Sequence, residues 1–248
     1  MIVAACDIVR LGAIASTMDA LHELAESGAP AGTAVVAEAQ TAGRGSRGRS
    51  WASPPGGLWL SVLARPATAG LALLSLRAGL AVAELLGQLG AGDRIGLKWP
   101  NDLMLDDRKT GGILCEARWH GASLAWVVIG LGLNVGNLPP PGLETAATHL
   151  GAALPRLTAE DLVETVVGAL RAVDAAAGPL TGEERARLAA RDWLRGRALD
   201  APVAGAAAGL ADDGALLVRR DDGTTVPVRA GTVILRGEAR SPNAQRAT

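Results

Sequence analysis

A chain of 248 residues can hold one large domain, or a large and a small one, with ample material for a buried core. Lys and Arg number 24 against 25 Asp and Glu, a formal net charge of -1, so no general electrostatic attraction to nucleic acid or to an anionic membrane is expected. Two cysteines, Cys6 and Cys115, exclude a disulfide framework and a cysteine metal site; with no secretion signal and no apolar run of the ~20 residues that a membrane span needs, they predict a cytoplasmic protein.

The elements follow in chain order. Ser16, three residues before Asp19, reads as a capping box ahead of a helix over about 17 to 27, which Gly28 and Pro30 stop. "TAVVAEA" and "GLWLSVLA" read as buried strands, and "LALLSLRAGLAVAELLGQLG" as a buried helix in which Arg77 and Glu84 interrupt the apolar run. From residue 94 on, "IGLKWP", "DLMLDD", "TGGILCEARW" and "LAWVVIGLGLNV" are separated by turn residues such as Asp106, Asp107, Gly121 and Ala122, which predicts an antiparallel meander. Thr158 with Asp161 opens another helix with Leu162, Val166, Leu170 and Val173 on one face, and a further helix covers about 182 to 192. Short strands broken at Asp213-Gly214 and Asp222-Gly223 then predict a small all-β barrel. The expected division is 1–192, 193–238 and a disordered tail at 239–248.

The stretch "AEAQTAGRGSRGRSWASPPGG", residues 37 to 57, admits three functions. Gly43, Gly45 and Gly48 spell a dinucleotide fingerprint, but Ser53-Pro54-Pro55-Gly56-Gly57 cannot be a helix interior, and no Asp or Glu lies between Glu38 and Glu84 to take a ribose. An Arg-Gly grip on nucleic acid could use Trp51 and Trp59 as stacking partners, yet the basic cluster is confined to Arg44, Arg47 and Arg49 in a charge-balanced chain. The remaining reading is a loop around a small phosphate-bearing ligand, favoured because "LKWPNDLML", "RKTGGILCE" and "VVIGLGLNVG" also set a Lys or Asn beside Gly or Pro at the edge of apolar strands. Lys98 and Lys109 could face one site across a hairpin. His22, His120 and His149 share no metal spacing and read as surface or incidental residues; Cys115 reads as a strand core residue, and Glu116 as a structural partner.

In this order, "GRGSRGRSWASPPGGLWLS", "KWPNDLML", "KTGGILCE" and "IGLGLNV" resemble the biotin protein ligases, over nearly the whole chain from "AST" at 15 to 17 through "AGTVILRG" at 230 to 237. The resemblance implies an α+β fold: a mixed-sheet, class II synthetase-like biotin/lipoate ligase catalytic domain with a small C-terminal SH3-like β-barrel. It also implies the short form without an N-terminal DNA-binding domain. The implied reaction activates biotin with ATP to biotinyl-5′-AMP and pyrophosphate, then passes biotin to a lysine of a biotin carboxyl carrier protein domain, as in acetyl-CoA carboxylase. Mg²⁺ is expected with ATP, without a fixed protein metal site. No nucleic-acid or membrane partner is implied, and a homodimer is compatible.

By resemblance Arg44, Lys109 and Lys98 are catalytic. Ser16, Thr17, Gln40, Arg44, Gly45, Ser46, Lys109 and Gly111 would contact biotin; Arg47, Arg49, Trp51, Asn101 and Asn134 would contact ATP. The family often has Arg where this chain has Ser46, and often Asn where it has Met18. A serine supplies no charge, so faster escape of the adenylate is expected. The alternatives are a lipoate ligase or octanoyl transferase, and a non-catalytic biotin-sensing module.

Overall fold

The computed structural model describes residues 7–65, 68–141, 146–173 and 178–238; Cys6 and the expected disordered tail lie outside them. The chain opens with β1 (Ile8–Ile14), α1 (Thr17–Glu26), β2 (Ala34–Gln40) and β3 (Leu58–Ala64). β1 pairs parallel with β2, as a helical crossover allows, and every other pairing of strands is antiparallel. β1 was not predicted from the sequence: it is an edge strand with mostly half-exposed residues, so it carries no buried apolar alternation.

Helical turns then lead into α2 (Leu74–Leu86). Counted with its flanking turns, this apolar helical stretch runs over Gly70–Arg94 and is long and apolar enough to cross a membrane, yet Leu74, Leu76, Ala78, Leu80, Val82, Ala83 and Leu86 are buried in the core. The meander follows as expected: β4 (Ile95–Lys98), β5 (Asp102–Leu105), β6 (Arg108–His120) and β7 (Ser123–Leu133). The resulting seven-stranded mixed sheet has the order β1-β2-β3-β7-β6-β5-β4.

Two apolar layers flank it. On one face Leu21 and Ala25 of α1 pack on Val35, Leu63, Trp126 and Val128. On the other, α2 and α3 (Ala159–Val173) bury Leu162, Val166 and Leu170 against the sheet. With no Phe or Tyr in the chain, this interior is built from short aliphatic side chains, each buried Val, Leu or Ile contributing about 1.5–3 kcal/mol. Trp59 is fully buried and donates its indole Nε1 to the Pro54 carbonyl, so the stacking role considered for it is ruled out by its position.

The capping box expected at Ser16 does not form. The Ser16 hydroxyl accepts from the Met18 amide at 3.3 Å, but Asp19 is drawn away by Arg44. The box does form between Thr158 and Asp161, and again between Thr181 and Glu184 at the start of α4 (Gly182–Arg191).

The C-terminal strands β8 (Ala198–Ala201), β9 (Gly205–Leu210), β10 (Leu216–Arg219), β11 (Thr225–Val228) and β12 (Ile234–Leu235) form an antiparallel sheet ordered β11-β10-β9-β8-β12. Among the described residues β11 and β12 do not pair, so closure of the barrel is not shown, while the short antiparallel strands are compatible with the SH3-like unit expected. Trp99 donates its Nε1 to the Gly214 carbonyl at 3.0 Å, tying this sheet to the turn after β4.

Candidate active site

On the α1 face of the sheet, β7 changes from Val128 to Gly130 and Gly132, and the space left by the missing side chains is taken by Met18 and Trp51. A Cβ on Gly130 would meet the Met18 Sδ at 2.8 Å, and one on Gly132 would meet the Trp51 Nε1 at 2.6 Å. Around this thin place two openings meet. The larger, about 370 Å³, is lined by Arg44, Gly45, Ser46, Arg49, Trp51, Asn101, Asp102, Lys109, Gly112 and Asn134, among others. The smaller, about 30 Å³, is lined by Ser16, Thr17, Met18, Gln40 and Gly130, and shares Arg44, Trp51 and Leu114 with the first.

The Arg-Gly loop is folded on itself. Gly45 N–H donates to the Arg49 carbonyl at 2.7 Å and Trp51 N–H to the Gly43 carbonyl at 2.8 Å, with a turn at Ser46–Gly48 between them. No longer helix follows, so the geometry a dinucleotide fingerprint requires is missing. Gly43 admits no side chain, since a Cβ there would lie 2.5 Å from the Trp51 carbonyl.

The small opening is pre-wired. Gln40 Oε1 accepts from the Thr17 amide at 2.9 Å and from its hydroxyl at 3.2 Å, and Gln40 Nε2 donates to the Ser53 hydroxyl at 2.9 Å. Thr17 and Ser61 share a hydroxyl contact of 2.8 Å. Buried polar groups are thus paired with one another at the pocket floor.

Two of the cations at the larger cavity, Lys109 and Arg44, are held by carboxylates. Lys109 Nζ lies 2.5 Å from Asp102 Oδ1 and 5.0 Å from the centre of the Trp51 ring. Arg44 Nε and Nη2 donate to the two oxygens of Glu116 at 3.1 and 3.2 Å, and its Nη1 donates to Asp19 at 2.9 Å. These hydrogen bonds, that to Asp19 foremost, raise the Arg44 pKa above its ordinary value, and the same contact lowers that of Asp19. Arg49 donates to the hydroxyl and carbonyl of Ser46. Among the described residues Trp51 Nε1 finds no hydrogen-bond partner and is buried against Gly132.

Of the residues singled out from sequence, Ser16, Thr17, Gln40, Arg44, Gly45, Ser46, Lys109, Arg49, Trp51, Asn101 and Asn134 line these two openings. Three do not. Lys98 is buried behind the cavity, over the Trp193 ring at 5.4 Å, and burial lowers its pKa. Arg47, in the left-handed region with φ 61°, turns away and donates to the Thr232 hydroxyl of the C-terminal unit. Gly111 packs under β7, where a Cβ would meet Leu133 at 2.8 Å; its neighbour Gly112 faces the cavity instead, past the register shift between β5 and β6. The amide of Asn101 donates to the Ile113 carbonyl, and that of Asn134 to the Thr148 carbonyl, so both side chains also brace the loops that carry them.

Asp19, Asp102 and His22 were missed as members of the site. His22 is not a surface residue: it is buried, accepts from Trp126 Nε1 at 3.0 Å and lies 3.3 Å from Glu116. Their partners stand up to 104 positions away in sequence, which no local pattern reveals. Glu116 is the structural partner expected of it; Cys115 is half-buried against the core, where a core residue was expected, and burial pushes its thiol up to about 12.

Residues 12–134 match the biotin/lipoate A/B protein ligase family and residues 195–236 the biotin protein ligase C-terminal domain. The bifunctional ligase/repressor BirA of Bacillus subtilis is 40% identical over 146 residues, 56% of this chain and 45% of that protein. The biotin–[acetyl-CoA-carboxylase] ligase of Paracoccus denitrificans is 40% identical over 118 residues, 46% of this chain and 49% of that one. The matched stretch therefore spans about half the length of these relatives. Over the fold, the biotin protein ligase of Aquifex aeolicus, solved in complex with biotin and ATP, superposes with a TM-score of 0.76 at 26% identity, covering 93% of this chain and 98% of that one. The first of these matches covers Ser16 through Asn134 of the two openings and the second the C-terminal sheet, and the chain belongs to the biotin/lipoate A/B protein ligase family.

Proposed function

We propose that this chain is an ATP-dependent biotin protein ligase whose catalytic unit spans 1–192 and whose smaller unit spans 193–238. The observation that carries the reading is the junction of a polar-floored pocket, bearing Ser16, Thr17 and Gln40, with a larger cavity bearing Arg44, Arg49 and Lys109, through the shared walls Arg44 and Trp51. The polar floor of the first matches a bicyclic urea, for which this opening of about 30 Å³ must widen, and the larger cavity would take a nucleoside triphosphate. Their reacting ends would meet at Arg44.

In the first step a biotin carboxylate oxygen forms a bond to the α-phosphorus of ATP, the bond from that phosphorus to the bridging oxygen breaks, and pyrophosphate leaves. Both reactants are anions, so the chain's task is to align them and to set positive charge against the phosphorus centre. Lys109 and Arg44 supply that charge; each is already oriented by a carboxylate. Trp51 walls the junction and keeps water from the mixed anhydride. In the second step an uncharged lysine amine of a biotin carboxyl carrier protein domain attacks the acyl carbon, the bond from that carbon to the phosphate oxygen breaks, AMP leaves, and the amine's proton passes to solvent. Lys98, buried and with a lowered pKa, stands behind this centre as a positioning charge.

Among the described residues no three His, Cys, Asp or Glu side chains cluster as a metal cage, and Asp102 is the carboxylate on the cavity wall. Asp102 is engaged by Lys109, so Mg²⁺ would arrive on the ATP phosphates and not in a fixed protein site. The metal would neutralise the charge on the leaving pyrophosphate.

The test is incubation with biotin, Mg-ATP and a carrier domain, followed by detection of a streptavidin-reactive acceptor. A competent acceptor left unlabelled overturns the reading. Lipoate in place of biotin gives the competing outcome.

A further inference from the structure

One cluster behind the cavity is not used by the mechanism above. α1 places Asp19 and His22 three residues apart and so on one face, and both reach the Arg44–Glu116 pair: Asp19 through Arg44, His22 through Glu116. The His22 ring is buried between Trp126 and Glu116. An indole N–H can only donate, so His22 Nδ1 must present a lone pair to Trp126; the one proton of the neutral ring then sits on Nε2, 3.3 Å from Glu116 Oε2. That same oxygen accepts from Arg44 Nη2 at 3.2 Å. A continuous line of hydrogen bonds thus runs from a 3%-exposed indole in the core to a guanidinium on the cavity wall.

Glu116 sits at the end of a flexible side chain that is 31% exposed, and the Arg44 fork would turn with it. Asp19 holds the Nη1 end of the guanidinium, but the carboxylate of Glu116 on the Nε–Nη2 edge is left to swing. A third contact to a buried, rigid ring closes it. We propose that His22 is a positioning residue for the adenylation step: fixed by Trp126 in the tautomer protonated at Nε2, it donates to Glu116 and thereby holds the carboxylate that aims Arg44. Burial, which keeps the ring neutral, supports this role. The inference rests on the ligase reading above.

Two substitutions separate the relay from mere packing. In His22→Asn the side chain can still accept from Trp126 but does not reach Glu116; in His22→Gln it reaches Glu116 with a donor and forgoes the Nδ1 position. The relay predicts that His22→Asn lowers kcat for biotin-dependent pyrophosphate release roughly tenfold or more with KM for ATP within about twofold, while His22→Gln stays within about threefold of wild type. If His22 only fills the core, the order reverses, because the Asn variant keeps the indole satisfied. In a Glu116→Ala background the relay predicts no further loss from His22→Asn; multiplied losses would overturn it.

Nitrogen NMR of the histidine rings supplies a readout that does not depend on activity. His22 should carry its proton on Nε2, and Arg44→Ala should move that resonance. A proton on Nδ1 overturns the relay whatever the enzyme does. A wild-type protein with the expected tautomer that releases no pyrophosphate overturns the ligase reading and, with it, the catalytic role of the relay, while the hydrogen-bond line itself stands.

Discussion

Lys109 Nζ and Asp102 Oδ1 stand 2.5 Å apart on neighbouring strands, under the ring of Trp51. The cation that would meet the reacting phosphate is therefore pre-aimed by a carboxylate. Lys109→Ala should reduce biotin-dependent pyrophosphate release by roughly 10²–10³-fold, the scale of losing one preorganised charge stabiliser. Far-ultraviolet circular dichroism should be unchanged. Near-normal turnover would remove Lys109 from the mechanism.

Gly132 is where β7 gives way to Trp51. A methyl group there would lie 2.6 Å from the indole nitrogen and 2.8 Å from Cε2, so the ring must move. Gly132→Ala should cost about 1–3 kcal/mol of stability through overpacking. Because the displaced ring moves within the wall that both openings share, calorimetry should also find ATP and biotin bound at least about tenfold more weakly. Unchanged affinity for both ligands would mean that Trp51 is not their common wall.

Ser46 lines the larger cavity and accepts a hydrogen bond from Arg49, without charge of its own. Ser46→Arg would add a guanidinium at a place where an adenylate phosphate would lie. Retained biotinyl-AMP, followed by rapid gel filtration, should dissociate roughly tenfold more slowly in this variant, as one added charge-assisted contact implies. An unaltered off-rate counts against an electrostatic role for this position.

Acid should act through one buried and one half-buried group in sequence. The His22 pKa is pushed below its ordinary 6.5, first by burial and then by Arg118, against the opposing pull of Glu116 and Asp19. Below that ordinary value the unfolded chain binds the proton that the folded one refuses, so stability falls as pH drops through 6.5. The Arg77 guanidinium, hydrogen-bonded to Glu184, holds that carboxyl at about 2 against an ordinary 4.5. This contribution is complete above 4.5 and is lost as pH falls from 4.5 toward 2. Melting temperature against pH should show both declines; His22→Leu should flatten the first and Glu184→Gln the second.

The helices were legible because each announces itself locally. Thr158 and Asp161 form the box their spacing predicts, and Leu162, Val166 and Leu170 are buried together as their period requires. Asp106 and Asp107 mark the turn between β5 and β6, as Gly121 and Ala122 mark that between β6 and β7. At Ser16 the same local rule failed. A guanidinium 25 residues on offered Asp19 a charged partner, stronger than the neutral amide of its own helix.

Sequence alone determined which residues could serve anions: Arg44, Arg47, Arg49, Lys98 and Lys109 sit among glycines and strand ends, where small side chains let backbone and cation approach a ligand. Only the tertiary structure decided which of them face it. Lys98 and Arg47 carry the same charge as their neighbours, yet one strand's pleat buries the first against Trp193, and a left-handed backbone turns the second toward Thr232. The partners that aim the remaining cations, Glu116 on β6, Asp19 and His22 on α1 and Asp102 on β5, are joined to them by contacts that exist only once the sheet has closed.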